Sequence, residues 1–204
     1  MPPALQILVL AAGSSSRMAP RDKLLETVDG RPLLERITRF AVETGALVTV
    51  VLPPDRPLRR AALSRMPVRK VIAQTAAEGM AESLKAGLAE MPTGGGVMLL
   101  LADMPELTSE DLKTMIDAAR ANPDAILRAT SDQGQPGHPV IFPASLRDSL
   151  MQITGDQGAR DLISAHQDRL ILVPLPAQHA VTDLDTPEAW SQWRQTRRPP
   201  AGAS

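Results

Sequence analysis

Leu5-Gln6-Ile7-Leu8-Val9-Leu10-Ala11-Ala12-Gly13-Ser14-Ser15-Ser16-Arg17-Met18 runs from an apolar stretch into a loop of small residues that ends on a cation. Apart from Gln6, residues 5–11 are all apolar, with no alternation of the kind a half-exposed strand shows. Such a run reads as a strand covered on both faces, as in parallel sheets. Comparable runs rich in Val, Ile and Leu recur at residues 47–52, 97–102 and 170–175, with weaker ones at 71–73, 125–129 and 140–142. Between them lie stripes of helical period: Leu33, Leu34, Ile37, Phe40 and Ala41; then Met80, Leu84 and Leu88; then Leu112, Met115, Ile116 and Ala119. Strands alternating with amphipathic helices predict an α/β fold, a single Rossmann-like domain with a mainly parallel sheet and helices on both faces.

The composition narrows the function classes. The 204 residues suit one domain with one sizeable core, here expected over residues 1–195. With 22 Lys+Arg against 23 Asp+Glu, no global field favours a nucleic acid or a membrane surface as partner. Cysteine is absent, which removes disulfides, thiolate nucleophiles and cysteine metal sites together. Residues 1–12 carry no basic segment, and their apolar run is too short for a signal peptide or a membrane span, so a cytoplasmic protein is expected. Thr108 followed by Asp111 reads as a capping box, and Thr186-Pro187-Glu188 as the start of a last helix. Residues 196–204, TRRPPAGAS, have nothing apolar to dock and are expected to form a disordered tail.

In a parallel sheet the first loop sits at the carboxyl edge of its strand, where ligands bind in open α/β folds. Small side chains over Leu10, Ala11, Ala12 and Gly13 let backbone N–H groups approach phosphate oxygens, Arg17 offers a planar fork, and Lys23 adds a point charge. The same residues also suit a Ser-rich turn with two solvated cations. Lys23 lies between Asp22 and Leu24, which excludes a Walker A loop, and a lone Gly13 excludes the dinucleotide fingerprint. Asp103 ends the apolar run 97–102 and is expected at the same sheet edge, where a hard oxygen ligand suits Mg²⁺; turn capping is its other reading. Gly79 opens the helix that contains Ser83 and brings backbone within reach of a ribose or base, whereas Met80 and Leu84 read as core. His138 stands in the glycine-punctuated loop Gly134-Gln135-Pro136-Gly137-His138-Pro139, which suits a ligand contact, and Arg160 by itself reads as a surface cation. His166 and His179 have no motif around them and are expected to be structural.

The chain resembles the molybdenum cofactor nucleotidyltransferases, the cytidylyltransferase branch in particular, within the sugar-nucleotide-transferase-like superfamily. The matching residues are Leu10-Ala11-Ala12-Gly13, Ser15, Arg17-Met18, Lys23-Leu24-Leu25, Gly30-x-Pro32-Leu33-Leu34, Gly79-Met80 with Ser83-Leu84, and Asp103-Met104-Pro105. They continue with Gly137-His138-Pro139, Gly155-Asp156-x-Gly158-Ala159-Arg160 and Asp183-x-Asp185-Thr186-Pro187-Glu188. Ala19 departs from the glycine usual after Arg-Met. The resemblance implies the nucleotide-diphospho-sugar transferase fold and Mg²⁺-dependent transfer of CMP from CTP to the phosphate of a molybdopterin-type cofactor. It further implies delivery to a molybdoenzyme or its maturation chaperone. It assigns the Gly79 segment to the nucleotide, His138 and Arg160 to the acceptor, and an acidic residue among Asp183 and Asp185 to the metal site beside Asp103. Asp156 is the expected cap of the helix that follows it. The guanylyl branch carries Leu-Ala-Gly-Gly in the first loop, so the methyl of Ala12 is expected to narrow the pocket against a purine. An NAD(P)H-dependent reductase and a non-catalytic cofactor carrier are the alternatives.

Overall fold

The computed structural model describes residues 4–155 and 159–197. β1 (Gln6–Leu10) precedes a small ribbon of β2 (Thr27–Val28) and β3 (Arg31–Pro32), then α1 (Leu33–Glu43), β4 (Leu47–Leu52), α2 (Pro57–Ala62) and β5 (Arg69–Ile72). Next come α3 (Met80–Glu90), β6 (Val97–Leu101), α4 (Ser109–Ala121), β7 (Ile126–Thr130) and β8 (Pro136–Phe142). The order ends with α5 (Arg147–Met151), α6 (Arg160–Ala165), β9 (Leu170–Pro174) and α7 (Pro187–Thr196). Seven strands pair in the order β5-β4-β1-β6-β8-β7-β9, and only β8 runs against its neighbours, so the sheet is mainly parallel.

Burial on both faces explains the unbroken apolar runs. Ile7 and Val9 of β1, with Met98 and Leu100 of β6, face one core with Leu34 and Ile37 of α1 and Leu112 and Met115 of α4. Leu8, Val97 and Leu99 face the other, with Leu84 and Leu88 of α3, Leu150 of α5 and Ile163 of α6. Along β1 and β6 neighbouring residues therefore bury their side chains on opposite faces of the sheet. Chain direction along the sheet reverses between β1 and β6: from β1 the strands proceed through β4 to β5 on one side, and from β6 to β8 on the other. That switch point opens a crevice beyond the carboxyl ends of the two strands.

The caps expected at Thr108 and Thr186 are present. Thr108 and Asp111 form a reciprocal capping box on α4, and the Thr186 hydroxyl accepts from the Ala189 amide at the start of α7. Trp190 is fully buried in a third, smaller cluster with Met18, Val28, Leu33 and Leu184, and its Nε1 donates to the Leu184 carbonyl at 3.0 Å. This cluster ties the end of the chain to the end of the first loop.

Three expectations need correction. β9 is not covered on both faces: as the last strand it pairs only with β7, and Ile171 and Leu172 are 37% and 47% exposed. Met80 is not core; it is 44% exposed at the first turn of α3. Helix α7 includes Thr196, one residue past the expected domain end, and the tail expectation beyond Arg197 lies outside the described residues. None of the described helices is long and apolar enough to cross a membrane.

The loop that leads to α7 packs against β8 where a side chain has no room. A Cβ built on Gly137 would lie 1.8 Å from the Ala180 carbonyl oxygen, beside the bond in which the His138 amide donates to that oxygen at 2.8 Å. Since the obstacle is backbone, Gly137→Ala is expected to destabilise the protein by about 1–3 kcal/mol or more through overpacking. Urea unfolding checks this, and a wild-type midpoint would contradict the packing described.

Candidate active site

The first loop and the end of β6 flank the crevice, and Lys23 joins them. Asp22 caps the turn Lys23–Leu25 by accepting from the Leu24 amide at 3.0 Å, while the Lys23 amide donates to the Ser15 hydroxyl at 2.9 Å. Lys23 Nζ then donates to Asp103 Oδ2 at 2.5 Å and to Asp185 Oδ1 at 2.6 Å. Arg17 Nη2 reaches the other oxygen of Asp185 at 2.5 Å. Lys23, Asp103 and Asp185 are 14%, 20% and 22% exposed at their side chains, whereas Arg17 is 69% exposed. Burial works against the Lys23 charge, but Asp103 and Asp185 outweigh it and hold the ammonium pKa above the usual lysine value. The more exposed Arg17 pair adds little stability. Its charge stays available to a ligand.

Asp183 and Asp185, equivalent in the sequence, part company here. Asp185 joins the network of Lys23 and Arg17, while Asp183 lines the neighbouring cavity. Burial, followed by the charges of Asp185 and Asp103, pushes the Asp183 carboxyl up from its ordinary value. Asp103 Oδ1 is buried and has no hydrogen-bond partner, although Oδ2 is taken by Lys23. An orphaned carboxylate oxygen beside a second carboxylate fits a hard divalent cation. Among the described residues no group of three His, Cys, Asp or Glu side chains suffices to hold a metal ion. The remaining ligands would therefore be substrate oxygens and water, as is usual for Mg²⁺.

Beside the network a cavity of about 350 Å³ is lined by Leu10, Met80, Arg128, His138, Arg160 and Asp183, among others. That size suits a small-molecule site. Burial, then the Arg128 charge, lowers the His138 pKa to about 4, so its ring is neutral near pH 7; Nδ1 is buried without a partner. Arg128 was not singled out in the sequence. Its Nε donates to the Gly137 carbonyl at 3.2 Å, and the charge of Arg160 reinforces burial in lowering its pKa. The available cue was a cation set inside the apolar run 125–129.

Other expected contacts are not brought to this cavity. Ser83 is buried in α3, and neither it nor Gly79 lines the cavity. Gly79 has φ 125° and ψ 173° at the start of α3, a backbone that favours glycine for conformational reasons alone. Ala11 and Ala12 are 1% and 7% exposed, and Ala12 packs in the core with Val51, Ala73 and Leu84. Ala12 is thus part of the core and does not line the cavity. Gly13 is different: a Cβ there would meet nothing within 4 Å, so the fold leaves space where a ligand can approach. His179 Nδ1 lies 2.8 Å from Asp111 Oδ2, in keeping with a structural role, and the His166 ring nitrogen lies 3.0 Å from the Leu162 carbonyl. The residue expected to cap α6, Asp156, lies outside the described residues.

A family model described as the MobA-like NTP transferase domain matches residues 7–170, from β1 to the start of β9. The chain belongs to that family. Among curated relatives of this MobA-like chain, a probable molybdenum cofactor guanylyltransferase from Nostoc is 28% identical over 189 residues, covering 90% of this chain and 87% of the relative. The bifunctional protein GlmU of Alkalilimnicola ehrlichii is 35% identical over 170 residues, covering 82% of this chain but 35% of GlmU. The chain thus spans about a third of the GlmU relative and most of the guanylyltransferase. In fold it is similar to the crystal structure of Rv0371c from Mycobacterium tuberculosis, with a TM-score of 0.81, 23% identity, and 96% and 100% of the two chains covered. A second structure of that protein is a complex with manganese.

His138 supplies a test of the cavity's burial. The folded state keeps it neutral down to pH about 4, whereas the unfolded chain takes up a proton near 6.5. Unfolding therefore binds a proton between those values, and stability falls as pH drops from 6.5 toward 4. In His138→Gln the loss of melting temperature between pH 7 and pH 4.5 should be smaller than in the wild type. Parallel pH slopes in the two proteins would contradict a buried neutral ring.

Proposed function

We propose that this chain transfers CMP from CTP to the phosphate of a molybdopterin-type cofactor, releasing pyrophosphate. The observation that carries this reading is the meeting of Arg17, Lys23, Asp103 and Asp185 at the switch point of the sheet. Two cations and two carboxylates, next to a loop with open space at Gly13, match the needs of a triphosphate and its counterion. An acceptor phosphate oxygen attacks the α-phosphorus, a new P–O bond forms, and the bond to the β-phosphate breaks with its electron pair leaving on pyrophosphate. Lys23 and Arg17 stabilise the charge that grows on this leaving group. Asp103 and Asp185 would hold a divalent cation, Mg²⁺ in this reading, which when bound supplies further neutralisation of the triphosphate. Arg128 and Arg160 orient the acceptor phosphate from the cavity, and His138 offers it a neutral ring. A phosphate nucleophile is already ionised near neutral pH, so no general base is needed. A histidine of pKa about 4 is poorly matched to that task in any case.

The four-residue network favours transfer over simple cofactor carriage, which needs no metal site. The absence of the G-x-G-x-x-G fingerprint disfavours the reductase. For the nucleotide, the loop Leu10-Ala11-Ala12-Gly13 favours the cytidylyl branch. The name of the Nostoc relative favours GTP, and the burial of the Ala12 methyl removes the direct steric argument against a purine.

Pyrophosphate release with CTP and with GTP, in the presence of purified molybdopterin cofactor, distinguishes these readings. A higher kcat/KM for CTP is expected; a higher value for GTP would reassign the base, and no release with either would overturn transfer. Asp103→Asn should lower kcat by ~100-fold or more in protein that stays folded at the assay temperature, the scale of losing one electrostatic contact to a developing charge. Wild-type turnover in that variant across a Mg²⁺ titration would remove Asp103 from the site.

A further inference from the structure

The first loop is held from behind by helix α2. Arg59 is fully buried and makes four hydrogen bonds: Nε and Nη2 to the two oxygens of Asp22 at 2.8 and 2.9 Å, and Nη1 to the carbonyls of Ala11 and Gly13 at 2.7 and 2.8 Å. Three residues earlier, Arg56 Nη2 donates to the Ser14 carbonyl at 2.8 Å. Two arginines of one short segment thus take the carbonyls of three loop residues.

In a trans peptide unit the C=O and the following N–H point in opposite directions. Turning the carbonyls of Ala11, Gly13 and Ser14 toward the arginines turns the amides of Ala12, Ser14 and Ser15 away from them. Among the described residues none of these three amides donates a hydrogen bond within the protein. Free backbone amides of neighbouring residues are the donors from which anion-binding nests are built. Asp22, the other partner of Arg59, caps the turn that begins with Lys23. One guanidinium therefore fixes both the direction of the loop amides and the start of the segment carrying the site's ammonium.

We propose that Arg59, assisted by Arg56, is a positioning residue that aims the amides of Ala12, Ser14 and Ser15 at the phosphates of the nucleotide. Arg59 itself is buried behind the loop and touches no substrate. The proposal rests on the reading of this loop as the triphosphate site, and is independent of which base or acceptor is used. Lysine in place of Arg59 keeps a positive charge beside Asp22 but lacks the planar fork needed to reach the carboxylate and both carbonyls together.

The test is a titration of the ¹⁵N-labelled full chain with inorganic pyrophosphate and Mg²⁺. In the wild type the amide resonances of Ala12, Ser14 and Ser15 should shift most. In Arg59→Lys the Kd for pyrophosphate should rise about tenfold or more, the worth of at least one charge-assisted hydrogen bond, and those shifts should shrink. A folded Arg59→Lys with wild-type Kd and wild-type shifts overturns the clamp while leaving the loop a phosphate site. A wild type that does not bind pyrophosphate overturns both. If Arg59→Lys does not fold, Arg56→Ala removes one more exposed bond; it should raise Kd by about 3-fold and reduce the Ser15 shift, and wild-type values in it would overturn the proposal.

Discussion

The ammonium of Lys23 lies within hydrogen-bond reach of two carboxylates that arrive from distant parts of the chain, Asp103 after β6 and Asp185 before α7. Burial opposes the charge there, and the two acids outweigh it and raise the lysine pKa. Removing one partner of such a group strands charge that the protein has already desolvated. The first loop, the end of the central strand and the entry to the last helix therefore share one electrostatic constraint.

The rest of the molecule delivers these groups to that point. β1 and β6 are paired along their whole length, from Gln6 with Val97 to Leu10 with Leu101, which fixes their carboxyl ends relative to each other. Asp185 depends on a different contact, the cluster of Trp190 with Met18, Val28, Leu33 and Leu184, which seats α7 against the first loop. Beneath the loop the Arg59–Asp22 pair sets backbone direction. Each of the three side chains meeting at Lys23 Nζ thus has its own support, and the site inherits rigidity from three places.

Much of this was legible in the sequence because it depends on local pattern. Apolar runs without alternation marked strands covered on both faces, and small residues followed by Arg17 and Lys23 marked the loop. Capping chemistry at Thr108 and Thr186 marked two helix starts to the residue. What was not legible depends on long-range packing. Arg59 was not singled out among the cations of residues 56–60, because its partners lie 37 and more positions away. Ala12 looked like a pocket wall because its burial with Val51 and Leu84, distant in sequence, is a matter of tertiary packing. Asp183 and Asp185 were indistinguishable until the loop before α7 sent Asp185 to Lys23 and Asp183 to the cavity. Ile171 and Leu172 carried the composition of a buried strand although topology puts them at a sheet edge.

The central claim is that Lys23 couples the loop to both carboxylates in order to receive a triphosphate. Calorimetric titration of Lys23→Met with CTP and with CMP, each with Mg²⁺, tests it directly, because the monophosphate lacks the β and γ oxygens that the ammonium would meet. The account predicts that triphosphate affinity falls by about tenfold or more while monophosphate affinity falls much less. Equal losses for the two nucleotides, or none for either, would contradict it.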